Sequence, residues 1–249
     1  MSKAPRPIVI IPARMASTRL PGKPLADIGG LPMIVHVWQR AMEADVGPVV
    51  IACAEAAIAD AVEAAGGTAV LTRPDHPSGS DRIFEALVRV DPDGAHDVVV
   101  NLQGDLPAVD PAIVRAVLAP LADPDVGIAT LVSPIIDVAE QDDPNVVKAV
   151  VSLEGGASIG RAIYFSRLAV PWGEGPHLHH IGIYAYRREA LTRFVALPPG
   201  VIEQRERLEQ LRALENGMRI DAAVVDTVPF GVDTPADLER ARALLAKRP

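Results

Sequence analysis

Three cationic residues lie close together near the start of the chain, on a segment without an acidic residue. Arg14, Arg19 and Lys23 follow a short apolar run at residues 8–11 that ends at Pro12. Prolines and glycines between residues 12 and 24 interrupt helical structure, so we expect a loop there. Guanidinium and ammonium groups bind phosphate oxygens well, and the loop therefore favours an anionic ligand such as the phosphates of a nucleotide. The alternative is an ordinary solvated basic loop.

Two common phosphate-binding motifs are absent from this segment. The sequence has no G-x-x-x-x-G-K-[ST], so Lys23 is not a P-loop lysine, and no G-x-G-x-x-G follows the first apolar run. NAD or FAD is therefore not indicated. Phosphate binding here would depend on side-chain charge more than on a glycine-rich cradle.

Two aspartates further along the chain are candidate metal ligands. Asp105 comes just after an apolar run and Gly104, and Asp233 stands one residue before a helix start that Thr234 and Asp237 can cap. Magnesium needs only one or two protein carboxylates when phosphate oxygens and water complete its shell. Asp105 and Asp233 meet that need, although each could instead be a plain turn or helix-start carboxylate.

The polar segment 73–82 ends in a helix start, where hydroxyls and backbone N–H groups favour contact with a base, ribose or phosphate. Ser78, Gly79 and Ser80 are the candidates, and simple helix capping explains Ser80 equally well. His76 is either a ligand contact or a plain loop histidine.

The histidine-rich segment 177–187 predicts a strand whose alternation places His180, Gly182 and Tyr184 on one face. That face could present hydrogen-bond donors to a hydroxyl-rich substrate, and Glu209 and Gln210 on a later helix could do the same. Zinc is not expected there, because no cysteine or acidic ligand lies nearby at a known spacing.

The first half of the chain alternates apolar runs with helical periodicity. Strands are predicted at residues 8–11, 49–52, 68–71 and 97–101, and helices at 33–44, 55–65, 80–90 and 111–121. Continuously apolar strands in β-α-β-α order indicate an α/β fold with a mostly parallel sheet. Ligands of such sheets bind beyond the carboxyl ends of the strands, which is where the basic loop stands.

The pattern is looser after about residue 127. Strands are predicted at 128–132, 146–151, 162–165, 180–186 and 220–225, a hairpin turn at Gly155-Gly156, and helices at 201–215 and 235–246. We expect one domain over residues 1–249, with an arm or mixed sheet edge at about 140–190. An arm of this kind often forms a dimer contact.

The composition sets limits on function. The chain has 249 residues, a net charge of -8, 49% hydrophobic residues and only 4% aromatic residues, which predicts an aliphatic core. The acidic balance argues against nucleic acid or an anionic membrane as a partner. No apolar run is long enough to span a bilayer and no signal peptide is recognised, so a cytoplasmic protein is expected. The single cysteine, Cys53, excludes an intramolecular disulfide and is expected to be a buried, inert thiol.

With these segments identified, the chain closely resembles the 3-deoxy-manno-octulosonate cytidylyltransferases, the CMP-Kdo synthetases. The resemblance runs nearly end to end. Its motifs are IPARMASTRLPGKPL (11–25), TRPDHPSGSDR (72–82), NLQGDLP (101–107), PNVVK (144–148), YFSR (164–167), HHIGIYAYR (179–187), LEQLR (208–212) and GVDTPADLE (231–239). The first motif alone would also fit sialic acid cytidylyltransferases.

The resemblance implies a three-layer α/β nucleotidyltransferase fold, a homodimer, and the Mg²⁺-dependent transfer of CMP from CTP to Kdo with release of pyrophosphate, a step of lipopolysaccharide biosynthesis. It implies catalytic roles for Arg14, Arg19, Lys23 and Asp105, and a magnesium site at Asp105 and Asp233. The implied nucleotide contacts are Pro12, Ala13, Arg14, Arg19, Lys23, Arg73, Ser78, Gly79, Ser80 and Gln103. The implied Kdo contacts are Gln103, Arg167, His180, Tyr184, Glu209 and Gln210.

The chain departs from the family pattern at two places. Leu106 stands where QGDEP is frequent, and residues 51–55 replace a frequent VATDD, which puts any contact from that segment in doubt. The alternatives that remain are the same chemistry on sialic acid or an amino variant of Kdo, a glycosyltransferase, and a non-catalytic nucleotide-binding protein. The D-x-D motif expected of a glycosyltransferase occurs at Asp91–Asp93, but it precedes its strand, which indicates a loop.

Overall fold

The structure is a computed structural model that describes residues 5–17 and 19–246. The chain divides into two compact units, one formed by residues 1–115 with 229–249 and the other by residues 116–228. Thr18, which belongs to the first motif, lies outside the described residues. Within the described ranges, no helix combines the length and hydrophobicity that crossing a bilayer requires.

The first unit is built on parallel strands made of aliphatic side chains. In chain order its elements are β1 (Pro7–Ala13), β2 (Asp27–Ile28), β3 (Leu31–Pro32), α1 (Met33–Glu43), β4 (Val49–Cys53), α2 (Ala56–Ala64), β5 (Thr68–Leu71), α3 (Gly79–Val90), β6 (Val98–Asn101), α4 (Pro111–Ala116) and, near the chain end, α9 (Pro235–Leu245). The strand order is β5-β4-β1-β6, and each of these pairs is parallel. Helices α1, α2 and α3 pack against these strands. β1, β4 and β6 are largely buried on both faces, as their continuous apolar sequence predicts, whereas the edge strand β5 is partly exposed.

The second unit has a mixed sheet. Its elements are β7 (Ile128–Pro134), α5 (Val138–Asp142), β8 (Lys148–Ser152), β9 (Ile159–Ser166), β10 (Leu178–Arg187), α6 (Arg188–Val195), α7 (Val201–Glu206), α8 (Leu211–Glu215) and β11 (Ile220–Val224). β7 pairs with β11 in parallel, whereas β10–β7, β11–β9, β8–β9 and β10–β8 are antiparallel. The predicted hairpin turn is confirmed, since Gly155 and Gly156 join β8 to β9 with φ of 56° and 80°. The predicted arm, residues 140–190, is part of this unit.

Two predicted helices are wrong in extent. The helix expected at 201–215 is broken, because Arg207 adopts the left-handed conformation with φ of 57°. The break lets the Arg212 guanidinium reach back to the Glu203 carboxylate through two buried bonds of 2.8 and 2.6 Å. The helix expected at 111–121 stops at Ala116 and a short 3-10 turn follows, where Pro120 has no N–H to continue an α-helix. Helix α6 was not predicted at all.

Candidate functional site

The basic loop after β1 is held in place by hydrogen bonds to its backbone. The Met15 N–H donates to the Glu55 carboxylate at 3.1 Å, and the Gly22 N–H donates to the Met15 carbonyl at 3.4 Å. Gly22 has φ of 71°, which favours glycine at this turn. Glu55 belongs to the segment whose departure from the family pattern left its contacts in doubt. In the structure Glu55 anchors the loop through this bond to Met15. No feature of the sequence predicted that role.

Lys23 lies between the two predicted metal ligands. Its Nζ atom is 3.0 Å from the Asp105 carboxylate and 3.0 Å from the Asp233 carboxylate, and Arg19 lies 3.1 Å from the other oxygen of Asp233. Burial on its own lowers the pKa of Lys23, but the charges and hydrogen bonds of the two aspartates more than reverse this, so the pKa is raised. Lys23 is therefore protonated at neutral pH. Both carboxylates point at its ammonium group. This places together four residues that the sequence analysis took from three distant segments.

A close approach of two loops brings Asp105 and Asp233 together. A Cβ added to Gly104 would stand 2.7 Å from the Pro12 carbonyl oxygen, so only glycine lets the loop after β6 pass so near the end of β1. The Val232 N–H donates to the Asp105 carbonyl at 2.9 Å. This backbone bond fixes the segment that carries Asp233 beside Asp105.

The start of α9 has the predicted capping box. The Asp237 N–H donates to the Thr234 hydroxyl at 3.2 Å, and the Thr234 N–H donates to the Asp237 carboxylate at 2.9 Å. The bond from the Thr234 hydroxyl and the neighbouring N–H groups lower the pKa of Asp237. Because Asp237 satisfies the helix start, Asp233 is left to pair with Lys23 and Arg19.

A cleft of about 450 Å³ opens beside this cluster, wholly within the first unit. Most of the predicted nucleotide contacts line it, together with Asp105: Pro12, Ala13, Arg14, Arg19, Lys23, Ser78, Gly79 and Gln103. Arg73 and Ser80 are not among its lining residues in the described part of the chain. Ser80 is buried, and Arg73 lies near Asp75 and Glu85.

Arg82 and His76 also line the cleft, although the sequence analysis gave Arg82 no role and left His76 open. Arg82 is buried, and it donates to the Thr72 hydroxyl at 2.6 Å and to the Arg73 carbonyl at 3.1 Å. Burial lowers the pKa of its guanidinium. His76 forms a close hydrogen bond with the Glu85 carboxylate. A buried arginine adds positive charge to the cleft, and the signal for it was present in the motif at 72–82.

The predicted sugar contacts lie in the second unit. The His180 and Tyr184 rings are 5.5 Å apart, although a strand irregularity between Ile181 and Tyr184 interrupts the simple alternation that we expected. Burial, with a smaller contribution from His179, lowers the pKa of His180 to about 3. The ring is therefore neutral at physiological pH. Burial also raises the pKa of the Tyr184 hydroxyl.

The other predicted sugar contacts differ in their surroundings. Gln210 is buried, and its amide nitrogen has no hydrogen-bond partner among the described residues. The Arg167 guanidinium donates to the carbonyls of Glu206 at 2.9 Å, Pro144 at 2.8 Å and Arg207 at 3.4 Å. These bonds tie β9 to the end of α7. The sugar-binding role of Arg167 stays a prediction.

Cys53 and Asp91 have the structural roles that the sequence predicted. Cys53 is buried, and burial raises its thiol pKa to about 11, with a smaller contribution from the Glu55 carboxylate. The thiol is therefore protonated and a poor nucleophile at neutral pH. The Asp91 carboxylate accepts from the N–H groups of Ala95 at 2.7 Å and His96 at 2.9 Å, which stabilises its own loop.

The donor set at the Lys23 cluster fits a magnesium ion. Two carboxylates aim at one position that a cation, the Lys23 ammonium, already occupies, and hard oxygen donors are those that magnesium prefers. The neighbouring arginines supply positive charge for phosphate groups. An anionic, metal-associated ligand such as a nucleoside triphosphate suits this cleft.

Known proteins share the fold of this chain. The chain has a nucleotidyltransferase-like α/β fold. The solved structure of CMP:2-keto-3-deoxy-manno-octonic acid synthetase complexed with CTP matches it with a TM-score of 0.89 and 42% identity, over 97% of this chain and 99% of that one. A nucleotidyl transferase from Methanothermobacter thermautotroptrophicus, at 15% identity and a TM-score of 0.63 over 97% of this chain and 98% of that one, shares the fold alone.

Sequence comparisons identify the family within the nucleotidyltransferase-like fold. The pattern of the cytidylyltransferase family matches residues 8–220. The 3-deoxy-manno-octulosonate cytidylyltransferase of Rhodospirillum centenum is 70% identical over 100% of this chain and 97% of its own length. That of Paramagnetospirillum magneticum is 67% identical over 96% of this chain and 97% of its own length. The chain belongs to the 3-deoxy-manno-octulosonate cytidylyltransferase family.

Proposed function

We propose that this protein transfers CMP from CTP to the anomeric hydroxyl of 3-deoxy-D-manno-octulosonate (Kdo), giving CMP-Kdo and pyrophosphate. The observation that carries the proposal is the Lys23 cluster, in which two carboxylates and two cations meet at the mouth of a cleft of nucleotide size. The near-complete overlap with relatives that bear this enzyme's name supports the choice of sugar. The product is the activated sugar used for lipopolysaccharide, and a CTP-consuming step belongs in the cytoplasm.

In this proposal the positive side chains bind the triphosphate of CTP. Arg14 and Arg19 line the cleft and are exposed to solvent. Neither guanidinium has to leave a buried position to reach phosphate oxygens. Asp105 and Asp233 would hold the metal ion, and the Lys23 ammonium, which pairs with both carboxylates here, would then be available to the phosphates. When bound there, Mg²⁺ would neutralise charge on the phosphates and lower the pKa of a coordinated hydroxyl.

The reaction is a direct displacement at phosphorus. The anomeric oxygen of Kdo forms a bond to the α-phosphorus, the bond from that phosphorus to the bridging oxygen breaks, and pyrophosphate leaves. The hydroxyl proton passes to solvent. Arg14, Arg19 and Lys23 neutralise the charge that builds on the departing pyrophosphate, and such fixed positive charge is worth most in the transition state. No nucleophilic side chain is required, because positioning and charge neutralisation supply the catalysis.

The second unit supplies the sugar contacts in this proposal. A neutral His180, the Tyr184 hydroxyl, and the Glu209 and Gln210 side chains form a polar set suited to a substrate rich in hydroxyl groups. The unpartnered Gln210 amide is the clearest support, because a buried donor without an acceptor is costly unless a ligand satisfies it. Gln103, which lines the cleft of the first unit, is the proposed contact there for either substrate.

The proposal also includes a homodimer, a three-layer arrangement of one domain and a dimer contact through the arm at about 140–190. Large apolar side chains in and near the arm support it, because Trp172 is 100% exposed, Leu168 73% and Ile136 90%. Exposed apolar groups of this kind mark association surfaces. Trp172→Asp should convert a dimer to a monomer in analytical ultracentrifugation. The exposed Val201→Asp, outside the arm, serves as the control.

The test of function is pyrophosphate release from the purified protein with Mg²⁺, CTP and Kdo. Sialic acid, an amino variant of Kdo and the other nucleoside triphosphates are measured in parallel. Release that needs CTP and Kdo together supports the proposal. Release with sialic acid instead would retain the mechanism and reject the sugar, and CTP binding without release from any pair would reject the enzyme.

A further inference from the structure

A buried hydroxyl lies at the irregularity of β10. Thr130 on β7 is fully buried, and its Oγ1 atom is 3.1 Å from the Ile181 carbonyl oxygen and 3.0 Å from the Ile183 carbonyl oxygen. The pairing of β10 with β7 jumps from Ile181↔Leu131 to Tyr184↔Thr130 at this place. The Thr130 hydroxyl therefore offers a hydrogen bond where the regular ladder is interrupted.

The same hydroxyl also contacts the ring of His180, with 3.1 Å between Thr130 Oγ1 and His180 Nε2. A threonine hydroxyl has one proton to donate, whereas a carbonyl oxygen can only accept. When that proton points to the two carbonyls, the hydroxyl oxygen is left as the acceptor toward His180 Nε2. The opposite assignment would take this donor away from both carbonyls, and losing a hydrogen bond at a buried site is costly.

With the Thr130 hydroxyl as the acceptor, the proton of the neutral His180 ring lies on Nε2. Nδ1 then carries the lone pair and acts as an acceptor. The ring orientation is fixed by Phe165, which packs edge-on with its centroid 4.8 Å away, and by Tyr184. A ligand group that meets Nδ1 must donate a hydrogen bond. A hydroxyl can do this, whereas a carboxylate cannot.

We propose that Thr130 is a positioning residue that holds His180 as the Nε2–H tautomer, so that Nδ1 accepts a hydrogen bond from a hydroxyl of the sugar-acid substrate. This inference rests on the proposed function for the identity of the substrate. It assigns the carboxylate of the sugar acid to groups other than His180. The irregularity in β10 contributes to this role, because it places the Ile181 and Ile183 carbonyls within hydrogen-bond distance of the Thr130 hydroxyl.

The tautomer is measured directly in the free protein. Nitrogen-15 NMR of histidine-labelled protein distinguishes a protonated ring nitrogen from an unprotonated one, and the His180 signals are identified as those missing from His180→Gln. The wild-type ring is expected to show a protonated Nε2 and an unprotonated Nδ1 at neutral pH. A protonated Nδ1 in the wild type overturns the proposal, whatever substrate the protein uses.

Two substitutions separate the hydroxyl from the shape of the side chain. Thr130→Val keeps the branched shape without the hydroxyl, and Thr130→Ser keeps the hydroxyl. In Thr130→Val we expect part of the Nε2–H population to be lost and the KM for Kdo to rise about tenfold, the effect of one neutral hydrogen bond. The KM for CTP should be unchanged, and Thr130→Ser should restore both the tautomer and the KM for Kdo.

The outcomes separate this inference from the proposed function. If the wild type turns over CTP with Kdo but Thr130→Val leaves the tautomer or the KM for Kdo unchanged, the positioning role is rejected. If the wild type does not use Kdo, the proposed function is rejected, while the NMR result still decides the tautomer. If Thr130→Val does not fold, the wild-type tautomer and the kinetics of Thr130→Ser decide, and a serine that fails to keep the tautomer overturns the proposal.

Discussion

Replacing Asp105 by asparagine tests the acidic pair most sharply. Asparagine has almost the shape of aspartate, and its side-chain oxygen can still accept a hydrogen bond from Lys23 Nζ, which lies 3.0 Å from the Asp105 carboxylate. The substitution removes one negative charge and leaves the other, on Asp233. It therefore changes the charge of the cluster with little change in packing.

The expected loss of stability is small. The side chains of Lys23 and Asp105 are 16% and 31% exposed, so water screens the pair in part, and removing such an interaction costs under about 1 kcal/mol. For a chain of this size that is a shift in Tm of about 2–4 °C. The expected loss of turnover is about 100- to 1,000-fold, the range seen when one preorganised electrostatic group is removed from an active site. That range is about 3–4 kcal/mol of activation free energy.

The assay is pyrophosphate release across a range of Mg²⁺ concentrations, with thermal unfolding measured on the same samples. Asp93→Asn, on an exposed loop carboxylate, is the matched control and should leave both unchanged. The Asp105→Asn variant should need more Mg²⁺ than the wild type to reach half of its own maximal rate. Turnover equal to the wild type at limiting Mg²⁺ would refute the assignment of Asp105 to the metal.

Three further results are expected. Gly104→Ala should lower stability by about 1–3 kcal/mol in urea unfolding and reduce turnover, because its Cβ would stand 2.7 Å from the Pro12 carbonyl oxygen. Gly79→Ala, whose Cβ would meet the Pro12 side chain at an ordinary 3.4 Å, should lose far less stability, and equal losses of stability would contradict the packing argument. Glu55→Gln should raise the KM for CTP with little change in unfolding, because the charged acceptor of the Met15 N–H at 3.1 Å is weakened; an unchanged KM would remove the anchoring role. The pKa of His180 is depressed from 6.5 to about 3, so its ring stays neutral in the folded state while it gains a proton in the unfolded state as the pH falls. The free energy of unfolding should therefore fall by about 2.5 kcal/mol from this residue between pH 7 and about 4.5, and His180→Gln should show a correspondingly smaller loss in urea unfolding at the two pH values.

The sequence predicted the polar groups of the first unit well because they follow strand ends and helix starts. Asp105 comes after β6, and Thr234 with Asp237 begins α9. Local sequence patterns were therefore enough to predict the strand end and the capped helix start. What the sequence could not show is the pairing of Lys23 with both aspartates. That arrangement depends on the close approach at Gly104 and on the Val232 N–H bond, both of which are tertiary contacts.

The second unit was harder to predict for the same reason. The segment whose periodicity predicts one helix is broken at Arg207, and the buried Glu203–Arg212 ion pair that accompanies the break leaves no signal in the periodicity. The irregularity of β10 beside Thr130 is likewise set by pairing with β7, and strand alternation could not show it, although the His180 and Tyr184 rings do lie together, 5.5 Å apart, as the alternation predicted. Local rules fail at these points because a partner far along the chain decides the conformation.

The ion pair between Lys23 and Asp233 joins residues 210 positions apart in the chain. On the ribosome, Lys23 and Asp105 are therefore made long before the second carboxylate, and all of residues 116–228 must be synthesised between them. A nascent chain that already carries the parallel strands of the first unit therefore still lacks the second carboxylate of the cluster. Synthesis itself thus times the appearance of the acidic pair, and the cluster becomes complete only when the segment that begins α9 returns to the unit where the chain began.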